Sequence, residues 1–167
     1  MIEISTDRLL LRQWRRTDFE PIAEFLQDPV QTKHLGGGQK TLSEAWNWFC
    51  GAVGEWQLLG RGMFAVESKD DQSLTGWCGL WQPIDLAEPE LAWSLFPSAQ
   101  GKGYATEAAE RVQHWAAFDL GLPPLFSFVH PDNIASRALA ERLGAEIESE
   151  TTFRGRPRLV YRHRQLS

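Results

Sequence analysis

Hydrophobic positions along the chain recur with two periods, near two and near three and a half residues, and the switches between them mark out its elements. Leu9, Leu10 and Leu11 between Arg8 and Arg12 predict a short first strand. Thr17 and Asp18 stand where a helix cap belongs, and Ile22, Phe25 and Leu26 keep helical spacing up to Asp28-Pro29. Gly36-Gly37-Gly38 breaks the pattern. A second helix is expected from Thr41 or Ser43 to about Leu59, with Trp46, Phe49, Val53 and Trp56 as one apolar stripe. Strands are expected over 62–68, 74–82 and 90–96, the last stopped by Pro97. In the middle one, Trp77, Gly79 and Trp81 alternate with Cys78 and Leu80, so both faces read as covered. A helix over about 103–120 ends before Gly121 and Pro123-Pro124. A strand over 125–129, a helix over 133–143 with Gly144 as its stop, and a hairpin of 146–153 with 159–165 around Gly155 complete the chain. The order β-α-α-β-β-β-α-β-α-β-β describes a single mixed α/β (α+β) domain over residues 1–167.

Composition narrows the classes. With 167 residues, 43% apolar and 23% charged, the chain is long enough to bury a substantial core. Most of its eight tryptophans are expected in that core. A net charge of −5 argues against broad nucleic-acid binding. No apolar run is long enough to span a membrane, and the first residues lack the pattern of a secretion signal, so a cytoplasmic setting is the expectation. Cys50 and Cys78 are the two cysteines; neither lies in a ligand-spaced motif, so a metal site is not expected and a buried, reduced pair is.

The stretch PSAQGKGYATEA, 97–108, joins a strand to a helix whose inner face is small. A helix N-terminus carries unpaired amides and partial positive charge, which suit a phosphate. Gly101 and Gly103 leave the approach clear, Lys102 adds charge and Thr106 offers a hydroxyl. A tight turn with no ligand is the alternative. The segment is not a phosphate loop of the GK-[ST] type, because Gly103 follows Lys102, and Thr106 stands where a third glycine of GxGxxG belongs.

Gln100-Gly101-Lys102-Gly103-Tyr104-Ala105 resembles Q/R-x-x-G-x-G/A, the acyl-CoA pyrophosphate motif of the GCN5-related N-acetyltransferases (GNAT). The longer string ELAWSLFPSAQGKGYATEA is similar to the subgroup that acetylates ribosomal-protein N-termini (the RimJ/RimL type). NIASRALAERLGA, 133–145, resembles a second signature of that family, with Ala145 where the subgroup carries Phe, and TDRLLLRQW resembles its opening strand. The resemblance implies a mostly antiparallel sheet with two splayed parallel central strands, 90–96 and 125–129. It implies acetyl-CoA as co-substrate, no metal, and an amine acceptor such as a protein N-terminus or a small molecule; pairing into homodimers is common in the family, and the oligomeric state stays open. On that reading, amides from about Gln100 to Ala105 hold the pyrophosphate and an amide near Leu95 faces the thioester carbonyl. Asn133 meets the pantetheine amides, and Ser136 lies near the sulfur as proton donor.

Aminolysis of a thioester needs a neutral amine, hence a base. Glu90, on the strand face of Ala92 and Ser94, is the candidate, with an exposed strand-end carboxylate as the alternative. His130 is the reserve base and His34 a weaker one. Asn133 and Ser136 also read as a cap and a polar first-turn residue. Trp46, Trp48 and Trp81 border the expected acceptor side, where core packing is the simpler role. Arg154, Arg156, Arg158, Arg162 and Arg164 read as a solvated basic edge, with an acidic acceptor or the CoA 3′-phosphate as the other reading. A non-catalytic acyl-CoA sensor on the same fold remains the competing function.

Overall fold

A computed structural model describes residues 2–166. Eight strands form one sheet in the order β1-β2-β3-β4-β5-β6-β8-β7. They are β1 (Ile4–Ser5), β2 (Leu9–Arg12), β3 (Met63–Ser68), β4 (Leu74–Trp81), β5 (Glu90–Leu95), β6 (Phe126–Val129), β7 (Glu146–Phe153) and β8 (Arg156–Arg162). Every neighbouring pair is antiparallel except β5 and β6. Helices α1 (Phe19–Gln27) and α2 (Leu42–Leu59) pack Phe25, Leu26, Ala45 and Phe49 onto Met63 and Trp77. Helix α3 (Tyr104–His114) lays its small face, Ala108, Ala109 and Val112, on the opposite face against Phe64, Leu80 and Leu91. Helix α4 (Ile134–Arg142) covers Val129, Leu159 and Tyr161 on that side with Ala140. Each side of the sheet thus removes a continuous apolar surface from water. Among the described residues no helix is long and apolar enough to cross a membrane.

Several expectations shift by a residue or a face. Thr41 does cap α2: its hydroxyl accepts from Glu44 N–H at 3.2 Å, and Glu44 accepts from Thr41 N–H at 2.7 Å. The buried stripe of α2 is Ala45, Phe49, Ala52 and Trp56, however, and Trp46 and Val53 are exposed. Trp46 instead packs on the rim against Phe19 beneath the Arg16 guanidinium. The same rotation leaves Cys50 exposed, so only Cys78 is a buried thiol. Three tryptophans (56, 77 and 115) are buried, and four more are half-buried. Asp18 is not a free cap; it is buried and binds both terminal nitrogens of Arg12 at 2.8 and 2.9 Å, while Arg12 Nε reaches Glu67 at 2.7 Å. Helix α3 widens after His114 into a π-helical turn, Trp115–Asp119. β8 begins and ends three residues earlier than expected, because the hairpin turns tightly at Arg154-Gly155, both left-handed at φ 49 and 73. Arg158, Val160 and Arg162 therefore share one face of β8, and Arg164 lies beyond it.

Candidate active site

β5 and β6 touch through a single register pair, Glu90 with Phe126, and then part. Two side-chain bridges hold the start of this seam: Ser127 Oγ donates to the Leu91 carbonyl at 2.6 Å, and Phe128 N–H donates to Glu90 Oε1 at 3.0 Å. Ser127 Oγ also meets His163 Nε2 at 2.9 Å, and Gln113 Nε2 meets His163 Nδ1 at 2.7 Å. An amide nitrogen can only donate, so His163 carries its proton on Nε2 and is neutral. Burial, aided by the charge of Arg162, lowers its pKa to about 4.

Beyond the seam the backbone of β5 is open on one side. Phe96 N–H pairs with Thr75 on β4, so alternation turns the amides of Trp93 and Leu95 toward the gap. The gap continues into a channel of about 940 Å³ that reaches the start of α3. There Gly101 and Gly103 take left-handed φ of 74 and 79, and a Cβ on Gly101 would meet nothing within 4 Å. The amide of Lys102 closes the turn over Gln100-Gly101, and those of Gly101 and of Gly103 to Thr106 have no acceptor among the described residues. Gln100, expected to join them, is spent within the chain: its N–H donates to Pro97 O and its Nε2 to Leu95 O at 3.0 Å. The turn is anchored from below, where Arg8 Nε meets Glu107 at 2.7 Å and Arg8 Nη1 meets the Lys102 carbonyl at 3.0 Å. Tyr104 lies between the Arg8 and Lys102 cations. Thr106 Oγ1 accepts from Arg142 Nη1 at 3.0 Å, adding a second cation to the rim. The turn is therefore a cradle of free donors with positive charge around it, which fits a diphosphate.

On the α1/α2 side the gap opens into a smaller cavity of about 130 Å³. Channel and cavity meet at His34, Trp93, Ser94, Asn133 and Ser136. Asn133 is the cap of α4: its Oδ1 accepts from Ser136 N–H at 3.2 Å, leaving its NH₂ to the channel. Ser136 Oγ accepts from the Trp93 indole N–H at 3.4 Å, so its own proton is available to a neighbour. The sequence reading missed Trp93, whose position on β5 one face away from Ser94 was the only signal.

Glu90 lies in the cavity wall and is 6% exposed, not an exposed strand-end group. Burial raises its pKa from 4.5 to about 8, against the opposing pull of Phe128 N–H and of the Arg158 charge. His130 and His34 stack with ring centroids 5.0 Å apart. His130 Nδ1 accepts from Asp132 N–H at 3.2 Å. His34 Nδ1 is buried without a partner; burial, then the nearby His130, depress its pKa. Trp48 and Trp81 line the cavity, whereas Trp46 does not. The arginines part company. Arg154 pairs with Asp85, Arg162 with Glu88 and Glu148, Arg164 with Glu146, and Arg156 bonds the Lys33 carbonyl. None of these four lines the phosphate channel, and Arg158 lies in the cavity.

Comparisons with known proteins agree with this fold. The chain is 32% identical to an acetyltransferase of Agrobacterium tumefaciens, whose crystal structure superposes with a TM-score of 0.89 over 99% of this chain and 95% of that one. The N-acetyltransferase YnaD of Bacillus subtilis (strain 168) is 25% identical over 147 residues, 88% of this chain and 84% of YnaD. RimL, a ribosomal alpha-N-protein acetyltransferase solved with coenzyme A, shares the fold at 17% identity and a TM-score of 0.77, over 97% of this chain and 96% of that one. Residues 8–146 match the model of the acetyltransferase (GNAT) domain, and the chain therefore belongs to the GNAT family of acetyltransferases.

Proposed function

We propose that the protein moves the acetyl group of acetyl-CoA directly to a primary amine while both are bound. The observation that carries this reading is the meeting of two spaces, a long channel with a run of free amides at one end and a small cavity with a buried carboxyl at the other. The Gly101–Thr106 amides hold the diphosphate, helped by Lys102 and Arg142. The pantetheine arm runs along the open backbone of β5, with Asn133 on its amides and Leu95 N–H on the thioester carbonyl. The coenzyme A bound by RimL, a protein of the same fold, supports the channel's assignment.

Glu90, ionised, takes the proton of the incoming ammonium through water, with a pKa of about 8 that suits proton transfer near neutrality. The free amine nitrogen then attacks the carbonyl carbon, the C–N bond forms and the C–S bond breaks. As the C–S bond breaks, the second proton of the nitrogen passes to the departing sulfur by way of the Ser136 hydroxyl, so CoA leaves as the thiol, and Glu90 returns its proton to solvent. Holding amine and thioester in adjoining spaces supplies much of the rate.

Titration calorimetry with acetyl-CoA and a thiol-release assay with an amine panel test the reading. Micromolar binding and thiol release with at least one amine are expected. No binding at high micromolar acetyl-CoA overturns it, as does tight binding with no thiol released, the behaviour of a sensor.

A further inference from the structure

Arg158 is 4% exposed, yet its guanidinium makes one hydrogen bond, from Nη1 to the carbonyl of neighbouring Pro157 at 3.0 Å. Among the described residues it has no carboxylate within ion-pair distance. Arg12, buried to the same degree, shows how this fold neutralises such a group: Asp18 grips it with both oxygens and Glu67 adds a third contact. A guanidinium withdrawn from water without a counter-ion is costly. Burial pulls the Arg158 pKa down, and the acid that opposes this, Glu90, itself keeps its proton to about pH 8. Arg158 faces the small cavity together with Glu90, and its fork of donors has no partner there.

The cavity also limits what can enter. Its volume of about 130 Å³ is small beside the channel of about 940 Å³ that it joins, so it takes one small acceptor, part of which lies at the junction with the channel. Trp48, Trp77, Trp81, Phe128 and Phe153 line it beside Leu26, Met63 and a second cation, Lys40, so much of its remaining wall is apolar and rich in aromatic rings. The segment over 32–38 covers it and is clasped by the β7–β8 hairpin. Arg156 Nη1 bonds the Lys33 carbonyl at 3.1 Å, and a Cβ on Gly38 would come within 2.7 Å of Arg156 Nη2.

We propose that Arg158 binds the carboxylate of the acceptor, and that the acceptor is a free α-amino acid with an apolar or aromatic side chain. The inference rests on the acetyl-transfer reading above. The amine lies between Glu90 and the thioester, the carboxylate forks onto Arg158, and the side chain contacts the aromatic wall. The transfer forms an N-acetyl amino acid and free CoA thiol, with the amine proton leaving through Glu90.

The test is steady-state thiol release with acetyl-CoA and matched acceptors: tryptophan against tryptamine, phenylalanine against phenethylamine, and an alanyl tripeptide. The wild type is expected to favour each amino acid over its decarboxylated partner by roughly a hundredfold or more in kcat/KM, chiefly through KM, because the bare amine leaves Arg158 unpaired. Arg158→Gln is expected to erase that preference and Arg158→Lys to keep part of it, with acetyl-CoA affinity confirming that each variant is folded. Equal turnover of tryptamine and tryptophan overturns the inference and leaves acetyl transfer standing. Turnover of the tripeptide but of no free amino acid does the same. Absence of thiol release from every amine overturns both. The wild-type comparison decides even where a variant does not fold.

Discussion

Replacing Glu90 by Gln separates the charge of this carboxyl from its shape. The side chain is fully enclosed, and its burial moves the pKa from 4.5 to about 8. Between those values the native state keeps a proton that the unfolded chain has released. The native state thus binds more protons in that window, and stability must fall as pH rises through it. The difference is about 3.5 units, each worth ~1.4 kcal/mol, which sets an upper limit of ~5 kcal/mol. Water entry and relaxation reduce it, and ~2–4 kcal/mol is the expected loss by pH 9. Glu90→Gln keeps a carbonyl oxygen for Phe128 N–H, now met at 3.0 Å, but does not titrate. Urea melts of both proteins without ligand, from pH 5 to pH 9, should therefore diverge, with the variant gaining on the wild type as pH rises. His163 also titrates abnormally, but it is common to both proteins and cancels in the difference. Parallel curves would refute the burial argument. The same substitution should lower kcat by roughly a hundredfold or more and remove the rise of wild-type activity with pH through about 8. Acceptors with weakly basic amines keep their own titration out of that range.

Four further outcomes rest on packing and charge. Gly79→Ala places a Cβ 2.5 Å from the Gly62 carbonyl and 2.7 Å from Met63 Cα, both backbone, and should cost about 3 kcal/mol or more in urea melts. Gly51→Ala and Gly54→Ala, inside α2 with nothing within 4 Å, should each add ~0.5–1 kcal/mol by the same measurement. Arg12→Ala strands the carboxylates of Asp18 and Glu67 and should cost ~3–5 kcal/mol, read from the thermal or urea midpoint. His163 is neutral when folded, with a pKa of about 4 against an ordinary 6.5; the unfolded chain binds the extra proton first, so stability should fall as pH drops below 6.5, and His163→Gln should flatten that decline.

Particular residues explain what was legible beforehand. Long periodic runs gave the helices, and the glycine turn gave the channel's closed end because left-handed φ at Gly101 and Gly103 is a property of glycine itself. The Thr41–Glu44 box was readable for the same local reason. The failures are tertiary. The α2 stripe is displaced by one position because Arg16 and Phe19 from elsewhere in the chain give Trp46 a partner on the surface. β1, two residues long, has no period to read. The arginine-rich hairpin misled most. Charged residues are rarely buried, so Arg158 read as solvated, and the register that turns it inward depends on a two-residue turn set by Arg154 and Gly155. Glu90 was found through the strand alternation, but its burial depends on Phe128 and β8, contributed almost forty and seventy residues later.

The single-pair contact between β5 and β6 has a mechanical consequence. With little ladder between them, residues 2–95 and 126–166 resemble two leaves of a book, fastened near the spine by Ser127 and Glu90 and at the rim by the Arg162–Glu88 and Arg154–Asp85 ion pairs. In the acetyl-transfer reading proposed above, Glu90 is also the group that accepts a proton during turnover. Ionised Glu90 grips the Phe128 N–H harder than the neutral acid does, so amide hydrogen exchange at Phe128 should quicken at alkaline pH less than elsewhere.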